Sequence, residues 1–234
     1  MSELVSYERR DNISALVMDD GKMNVLSVAM FDALNAALDR AQADGTVVLL
    51  AGREGVFSAG FDLAVFKREK PEQIRMLTAG ARIAERLLAF PAPVVVACTG
   101  HAIAMGAFLV LSTDVRLGVL NGPFKISVNE VAIGLTVPRF AIEVCRQRLA
   151  PAYFNRAVIT AESYDPQKAA EAGFLDNLVP TAGLLGTARE TALALAKLDR
   201  KSYVATKLRV RSRALGALRH AIEADIHDWE SRPG

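Results

Sequence analysis

Residues 57–63 read FSAGFDL, and they come soon after a continuous apolar run, VVLLA, at residues 47–51. An unbroken apolar run of this length is typical of a strand that is buried on both faces. Residues 100–106 read GHAIAMG and likewise follow an apolar run, VVVA, at residues 94–97. Two buried strands, each followed by a loop of small residues, predict a parallel α/β sheet with its ligand site at the carboxyl ends of the strands.

Strand and helix patterns alternate through the first half of the chain, which favours an α/β core with parallel pairing. One predicted helix follows the N-cap residue Ser27 and ends at residues 44–45, and a second begins near Pro71 and ends at Phe90. A third, short helix is predicted over residues 105–112. The predicted strands cover residues 5–8, 13–17, 47–51, 94–97 and 115–120.

Beyond residue 127 the pattern is mostly helical. The final helix is predicted to carry an apolar stripe from Val204 to Trp229, which must pack either on the core or on a neighbouring subunit. We therefore expect two regions, an α/β core over residues 1–180 and a helical region over residues 181–234.

The composition is that of a globular protein with a sizeable core. The chain has 234 residues, of which 51% are hydrophobic, and a net charge of +2, so neither disorder nor wholesale nucleic-acid binding is indicated. No apolar run is long enough to span a bilayer, and the first residues lack a secretory-signal pattern. Cys98 and Cys145 lie in apolar surroundings and are expected to be buried free thiols in a cytoplasmic protein. The three histidines do not complete a metal site.

The two small-residue loops together suggest an oxyanion hole. Small residues allow a ligand to approach the backbone, and the first amides of a helix point outward at its positive end. Two such loops could therefore direct two N–H groups at one oxygen. Each loop alone also fits tight packing, with a turn glycine at Gly60 and helix–strand crowding at Gly106.

Glu130 is the acid in an otherwise apolar segment, residues 126–135. It is either a solvent-facing glutamate in the first turn of a helix or a desolvated carboxylate with a raised pKa, suited to proton transfer. The pattern alone does not separate these two interpretations.

The order of these motifs resembles that of the crotonase superfamily, the enoyl-CoA hydratases and isomerases, over nearly the whole chain. The segments that carry the resemblance are residues 24–26, 57–63, 100–106, 114–117 and 170–179. The resemblance implies a crotonase-type spiral of ββα units with a helical C-terminal trimerisation region. It implies an acyl-CoA site in the core, covered by the C-terminal helices, and a homotrimer or a dimer of trimers.

The resemblance also assigns roles by position. It places the oxyanion-hole N–H groups on Phe61 and Met105 and the base on Glu130. Phe108 stands where the family's hydratases have their first glutamate, and Ala104-Met105-Gly106 replaces a run of three glycines, so the Met105 side chain could narrow the acyl tunnel. The residues expected to contact substrate are Met23, Val25, Ala59, Gly60, Asp62, Leu63, Gly106, Phe108 and, for the coenzyme A phosphates, Lys207.

A one-base double-bond isomerase is the favoured function, because Phe108 cannot transfer a proton. One alternative is a hydratase or another crotonase reaction in which Asp62 supplies a second acid. Another is a protein that binds acyl-CoA without catalysis. The charged segment 66–76 either lies in solvent or, as in the family, covers the acyl chain. No cofactor is expected beyond the coenzyme A of the substrate, and neither nucleic acid nor membrane is an expected partner.

Overall fold

The computed structural model describes residues 3–231 and consists of sheets and helices in the alternating order that the sequence predicts. The strands, in chain order, are β1 (Val5–Arg10), β2 (Ile13–Met18), β3 (Val25–Leu26), β4 (Val47–Ala51), β5 (Gly55–Ser58), β6 (Gly60–Phe61), β7 (Val94–Cys98), β8 (Gly100–Ile103), β9 (Val115–Val119), β10 (Ile126–Ser127), β11 (Ser163–Tyr164) and β12 (Asn177–Val179). The α-helices are α1 (Val28–Asp44), α2 (Lys70–Ala89), α3 (Met105–Leu111), α4 (Arg139–Arg148), α5 (Pro151–Ile159), α6 (Pro166–Ala172), α7 (Leu184–Leu195), α8 (Arg200–Val210) and α9 (Ser212–Ser231).

The strands form two main sheets, and β3 and β6 form a small third one. The larger sheet has the order β1-β2-β4-β7-β9-β12, and the smaller has the order β11-β10-β8-β5. Pairing is parallel except in the β1–β2 hairpin and between β10 and β11. The chain therefore places one strand in each sheet, adds a helix and repeats, as β4, β5 and α2 and then β7, β8 and α3 do. This is the predicted spiral of ββα units.

Local sequence signals set the ends of the first helices. The Ser27 side chain accepts a hydrogen bond from the Met30 amide at the start of α1, and Gly45, with φ of 65°, ends it. A left-handed conformation at this position is one that glycine adopts without strain. Helix α2 begins at Lys70, with Pro71 in its first turn, and ends just before Pro91. Strands β4 and β7 are buried along their whole length, as their apolar runs predict.

The predicted final helix is wrong in one respect, because it is two helices that meet at Arg211. The Arg211 guanidinium is buried and donates to the Leu88 carbonyl (2.9 Å) while it pairs with the Asp114 carboxylate (2.8 Å). These contacts fix Arg211 at the break between α8 and α9. Leu208 on α8 is exposed, so the apolar stripe belongs to α9 alone.

Helix α9 packs on its own core, mainly on α2 and α4. Its residues Leu215, Leu218 and Ile222 are buried in the main hydrophobic cluster, and Trp229 is partly buried against it. Helix α7 packs on the other face of the larger sheet. Residues 181–231 are thus helical as predicted, while the division into two regions and the trimer remain predictions.

Two further expectations concern the cysteines and membrane-spanning helices. Cys98 and Cys145 are both free and buried. Within residues 3–231, no helix has the length and apolar character needed to cross a membrane.

Candidate active site

The two small-residue loops touch each other, backbone against backbone. Gly60 has φ of +91°, and a Cβ atom there would lie only 2.8 Å from the Ile103 carbonyl oxygen. The Gly60 amide donates to Ser58 Oγ (3.1 Å), which holds the turn between β5 and β6. Only glycine combines this backbone conformation with this approach. The structure therefore brings residues 57–63 and 100–106 to one place at the ends of β6 and β8.

The Phe61 amide points away from β3. The next amide, that of Asp62, donates to the Leu26 carbonyl on β3 (3.4 Å). Successive amides of a strand point to opposite edges, so the Phe61 N–H is directed to the other side of β6, where the second loop lies. The Phe61 side chain forms part of the wall of the cavity described below.

The Met105 amide is the first of α3, so no carbonyl within the helix is available to it. Ala104 precedes it with φ of 50° and ψ of −119°, and this ψ sets the direction of the Met105 N–H. The Ala104 amide donates to the Ser127 carbonyl on β10 (2.8 Å), which ties the second loop to the strand that leads to Glu130. Three segments distant in sequence thus converge.

Glu130 follows β10 and is 6% exposed. Its Oε2 atom has no hydrogen-bond partner among the described residues. Burial raises the pKa of this carboxyl from 4.5 to about 7, against the smaller opposing effect of its own backbone amide. The solvent-facing interpretation of Glu130 is therefore wrong, and the structure has the desolvated carboxylate.

Glu130 and Phe61 face the same cavity, which has a volume of about 320 Å³. This is within the usual size range of small-molecule sites. The wall is mainly apolar, and among the described residues that form it Glu130 carries the carboxylate. The lining residues are Phe61, Phe66, Lys70, Gln73, Ile74, Leu77, Glu130, Leu135, Thr136, Pro138 and Trp229.

Comparison with known proteins identifies the family of this chain. The profile of the enoyl-CoA hydratase/isomerase family matches residues 8–232. The chain belongs to the enoyl-CoA hydratase/isomerase family.

Solved structures and a sequence relative agree with this assignment. A Pseudomonas syringae protein of the same family has a TM-score of 0.94 with 44% identity, covering 96% of this chain and 97% of its own. A Mycobacterium tuberculosis protein, described as an enoyl-CoA isomerase with one structure and as a probable enoyl-CoA hydratase with another, has in the first a TM-score of 0.93 with 42% identity, covering 97% of this chain and 99% of its own. A Thermus thermophilus protein named as an enoyl-CoA hydratase is 30% identical over 221 residues, covering 92% of this chain and 84% of its own. The fold is thus the crotonase fold, and the family covers both reactions.

Several residues that are expected to contact substrate make contacts that support the first loop. The Ala59 amide donates to the Met23 carbonyl (3.0 Å), and the Val25 amide donates to the carboxylate of Asp20 (2.9 Å). The side chains of Met23 and Leu63 are exposed. These residues, like Gly60, do not line the cavity of Glu130.

Asp62, Gly106 and Phe108 also lie outside the cavity wall. The Asp62 carboxylate accepts from the Ala64 amide (3.0 Å), so it stabilises its own turn, as a capping aspartate does. A Cβ atom on Gly106 would lie 2.7 Å from the Ser58 carbonyl oxygen, which is the packing role that its position also suggested. The Phe108 ring is fully buried and packs edge-to-face on Phe140, with ring centroids 6.0 Å apart.

The Met105 side chain does not enter this cavity. It is fully buried, and its sulfur would lie 3.3 Å from a Cβ atom on Gly80 of α2. The Phe61 ring would lie 2.6 Å from the same position. Gly80 therefore leaves space for both side chains behind the cavity, and the narrowing expected from Met105 is not seen in the cavity wall.

The structure does not bring Lys207 to the cavity of Glu130. Its side chain is 4% exposed and pairs with the Asp114 carboxylate (2.8 Å), with a further hydrogen bond to the Ala92 carbonyl (3.3 Å). Burial lowers the pKa of its ammonium to about 8, more than Asp114 raises it. Lys207 therefore lies against a buried carboxylate of its own chain, and its contact with the coenzyme A phosphates stays a prediction.

Two features of the site were missed in the sequence. One is the set of aromatic and aliphatic side chains that line the cavity but lie outside the sequence motifs, above all Trp229 on α9 and Ile74 on α2. The charged segment 66–76 and the stripe of the final helix were the available signals. The other is Asn24, a buried residue with φ of 50°. Its side-chain amide donates to the Met18 (2.9 Å) and Phe57 (3.2 Å) carbonyls and so holds the strand that carries the first loop.

Proposed function

We propose that this protein isomerises the double bond of an enoyl-CoA ester with Glu130 as its one base. The observation that carries the proposal is the buried carboxylate of Glu130, whose Oε2 atom has no hydrogen-bond partner among the described residues, in the wall of an apolar cavity beside Phe61. The family supplies the acyl-CoA class of substrate. A carboxylate in such surroundings has a pKa close to neutral pH, which suits a group that both takes and returns a proton.

The Phe61 and Met105 amides would hold the thioester oxygen. The β3–β6 register leaves the Phe61 amide out of the pairing with β3. The Met105 amide begins α3, and the Ala104 backbone sets its direction. When a proton leaves carbon 2, negative charge develops on the thioester oxygen. Each fixed donor to that oxygen lowers the barrier by about 3 kcal/mol.

The proton then moves between two carbons. In the proposed direction, Glu130 takes it from carbon 2 of a 3-enoyl-CoA and leaves a dienolate. The carboxylic acid formed returns the proton to carbon 4, and the product is a 2-enoyl-CoA. No atom is gained or lost, so one carboxyl is sufficient.

The surroundings of Glu130 favour isomerisation over hydration. Hydration needs a held water and a second proton-transfer group. At position 108 the chain has a phenylalanine that is packed in the core, and the Asp62 carboxylate is engaged in its own turn. An apolar wall also limits the access of water to the double bond.

The test is an assay of purified protein with 3-enoyl-CoA and 2-enoyl-CoA esters. We expect the wild type to form the 2-enoyl ester, and Glu130→Gln to lose about 10²- to 10⁴-fold in kcat while it still binds acyl-CoA. Glu190→Gln, an exposed position on α7, is the matched control and should keep full activity.

Other outcomes separate the alternatives. Activity retained in Glu130→Gln would remove Glu130 from the reaction. Efficient addition of water to crotonyl-CoA would identify a hydratase. Tight binding of every ester without turnover would identify an acyl-CoA binder.

A further inference from the structure

The cavity of Glu130 is closed on one side by the C-terminal helix. Trp229 of α9 completes a wall that is otherwise formed by Phe66 and the apolar residues of α2, and by Leu135 and Pro138 after Glu130. If the thioester lies beside Glu130, as the proposed function requires, an acyl chain extends along this wall. The inference below rests on that placement.

A second cavity, of about 440 Å³, lies directly beyond this wall. It shares Lys70 and Ile74 with the first cavity, and its other lining residues are Pro71, Arg75 and Glu230. Trp229 lines the first cavity, and the adjacent Glu230 lines the second. The last turns of α9 therefore lie between the two spaces.

The end of α9 is held firmly in this position. The buried Asp225 carboxylate accepts from the amides of Arg139 (3.0 Å) and Phe140 (2.9 Å) and so caps α4. Lys70 Nζ donates to the Glu230 carbonyl (2.7 Å) and joins α9 to the start of α2. Trp229 stands one helical turn after Asp225, on the same face of α9. Its indole is therefore a fixed part of the wall between two anchored points.

We infer that Trp229 sets the upper limit on acyl-chain length by separating the cavity of Glu130 from the second cavity. Chains that end before the indole are enclosed by apolar side chains. Longer chains meet the ring. A small residue at position 229 would join the two spaces and let longer chains pass into the second.

The wild-type protein itself offers a first test, because Trp229 is its one tryptophan. Its emission, excited selectively over that of the four tyrosines, therefore reports on this wall alone. Saturated acyl-CoA esters of increasing length should leave the emission unchanged until the chain reaches the indole, and should then shift or quench it. Coenzyme A without an acyl group should have no effect. An equal response to coenzyme A and to every ester would overturn the inference.

The second test compares Trp229→Ala with two other variants over the same series of esters, by binding and by turnover. Ile226→Ala lies on the same helix and packs on the core without lining the cavity, so it controls for general loosening of α9. Trp229→Phe keeps an aromatic wall. In the wild type, each enclosed methylene should improve affinity about fourfold until the limit is reached.

Trp229→Ala should continue this gain through chain lengths at which the wild type, Ile226→Ala and Trp229→Phe have stopped gaining, while short esters bind as before. The same limit in Trp229→Ala and in the wild type would overturn the inference, as would a matching shift in Ile226→Ala. The same experiments test the proposed reaction separately. Binding that depends on acyl-chain length, without any isomerisation, would refute the reaction but would still support the role of Trp229.

Discussion

Replacing Glu130 by glutamine should make the folded protein more stable at alkaline pH, even though it removes the proposed base. Glutamine has nearly the same shape as glutamic acid but cannot ionise. In the native state the carboxylate of Glu130 is buried and has an oxygen without a partner, so its charged form is disfavoured there and not in the unfolded chain. The variant removes this penalty.

The magnitude follows from the shift in pKa. Burial raises the pKa of Glu130 from 4.5 to about 7, and each unit corresponds to about 1.4 kcal/mol. Below pH 4.5 the carboxyl is protonated in both states and the shift has no effect on stability. Between pH 4.5 and 7 the folded protein keeps a proton that the unfolded chain has released, so wild-type stability falls as the pH rises. Above the folded-state pKa the full loss of about 3 kcal/mol is reached.

The assay is urea unfolding followed by circular dichroism, at several pH values between about pH 4.5 and about pH 9. The quantity to compare is the free energy of unfolding of Glu130→Gln minus that of the wild type, at one protein concentration because association would shift both. This difference should rise by about 3 kcal/mol across the range. The same difference for Glu190→Gln, which changes an exposed side chain, should stay nearly constant.

A difference that does not vary with pH would refute the reasoning. It would mean that water or a hydrogen-bond donor stabilises the Glu130 carboxylate in the native state, and the proposed base would then lack its raised pKa. A difference that falls with rising pH would mean that the fold favours the charged form.

Three other predictions follow from the same geometry. The value of kcat/KM for isomerisation should rise about tenfold per pH unit on the acid side and level off above about pH 7, because only the unprotonated Glu130 accepts a proton; a flat profile would exclude it as the base. Ala104→Gly should raise the free energy of unfolding by about 1 kcal/mol in urea, because a non-glycine residue at φ of 50° is strained; a loss of stability would show that the alanine is not strained there. Asp225→Ala should lower the free energy of unfolding by about 1 to 2 kcal/mol through loss of the α4 cap, and Asp225→Asn, which has one acceptor oxygen for the two amides, should recover only part of this loss; an unchanged free energy of unfolding in Asp225→Ala would show that the cap does not stabilise the fold.

The elements of the core could be predicted because their signals are local. The apolar runs of β4 and β7 have the pattern of strands buried on both faces, and Ser27 and Gly45 are the residues that begin and end α1. The break at Arg211 could not be predicted in this way. Its guanidinium is held by Leu88 and Asp114, which are far away in the chain, so a stripe that looks continuous in the sequence is divided by tertiary contacts.

The candidate site shows the same limit. The two loops could be placed at one edge of the fold from their position after buried strands, and the structure brings them into contact through Gly60. Whether Glu130 is buried depends on side chains from α2 and α9, so the pattern of its own segment left the question open. The ion pair of Lys207 could not be predicted, because a basic residue in a basic helix gives no sign of its partner and Asp114 lies 93 residues earlier.

The local costs in stability coincide with the proposed site. The buried carboxyl of Glu130 disfavours the folded state by about 3 kcal/mol at alkaline pH, and the Ala104 backbone has a conformation that costs about 1 to 3 kcal/mol in a residue other than glycine. A core selected for stability alone would have neither feature. Both lie where the proposed reaction needs them, since the Ala104 backbone directs the Met105 amide and burial gives Glu130 a pKa near neutral. An acyl-CoA thioester bound there would give the amide an acceptor and the carboxylate a proton to take. The same two features would therefore favour substrate binding and reaction at the expense of the stability of the free protein.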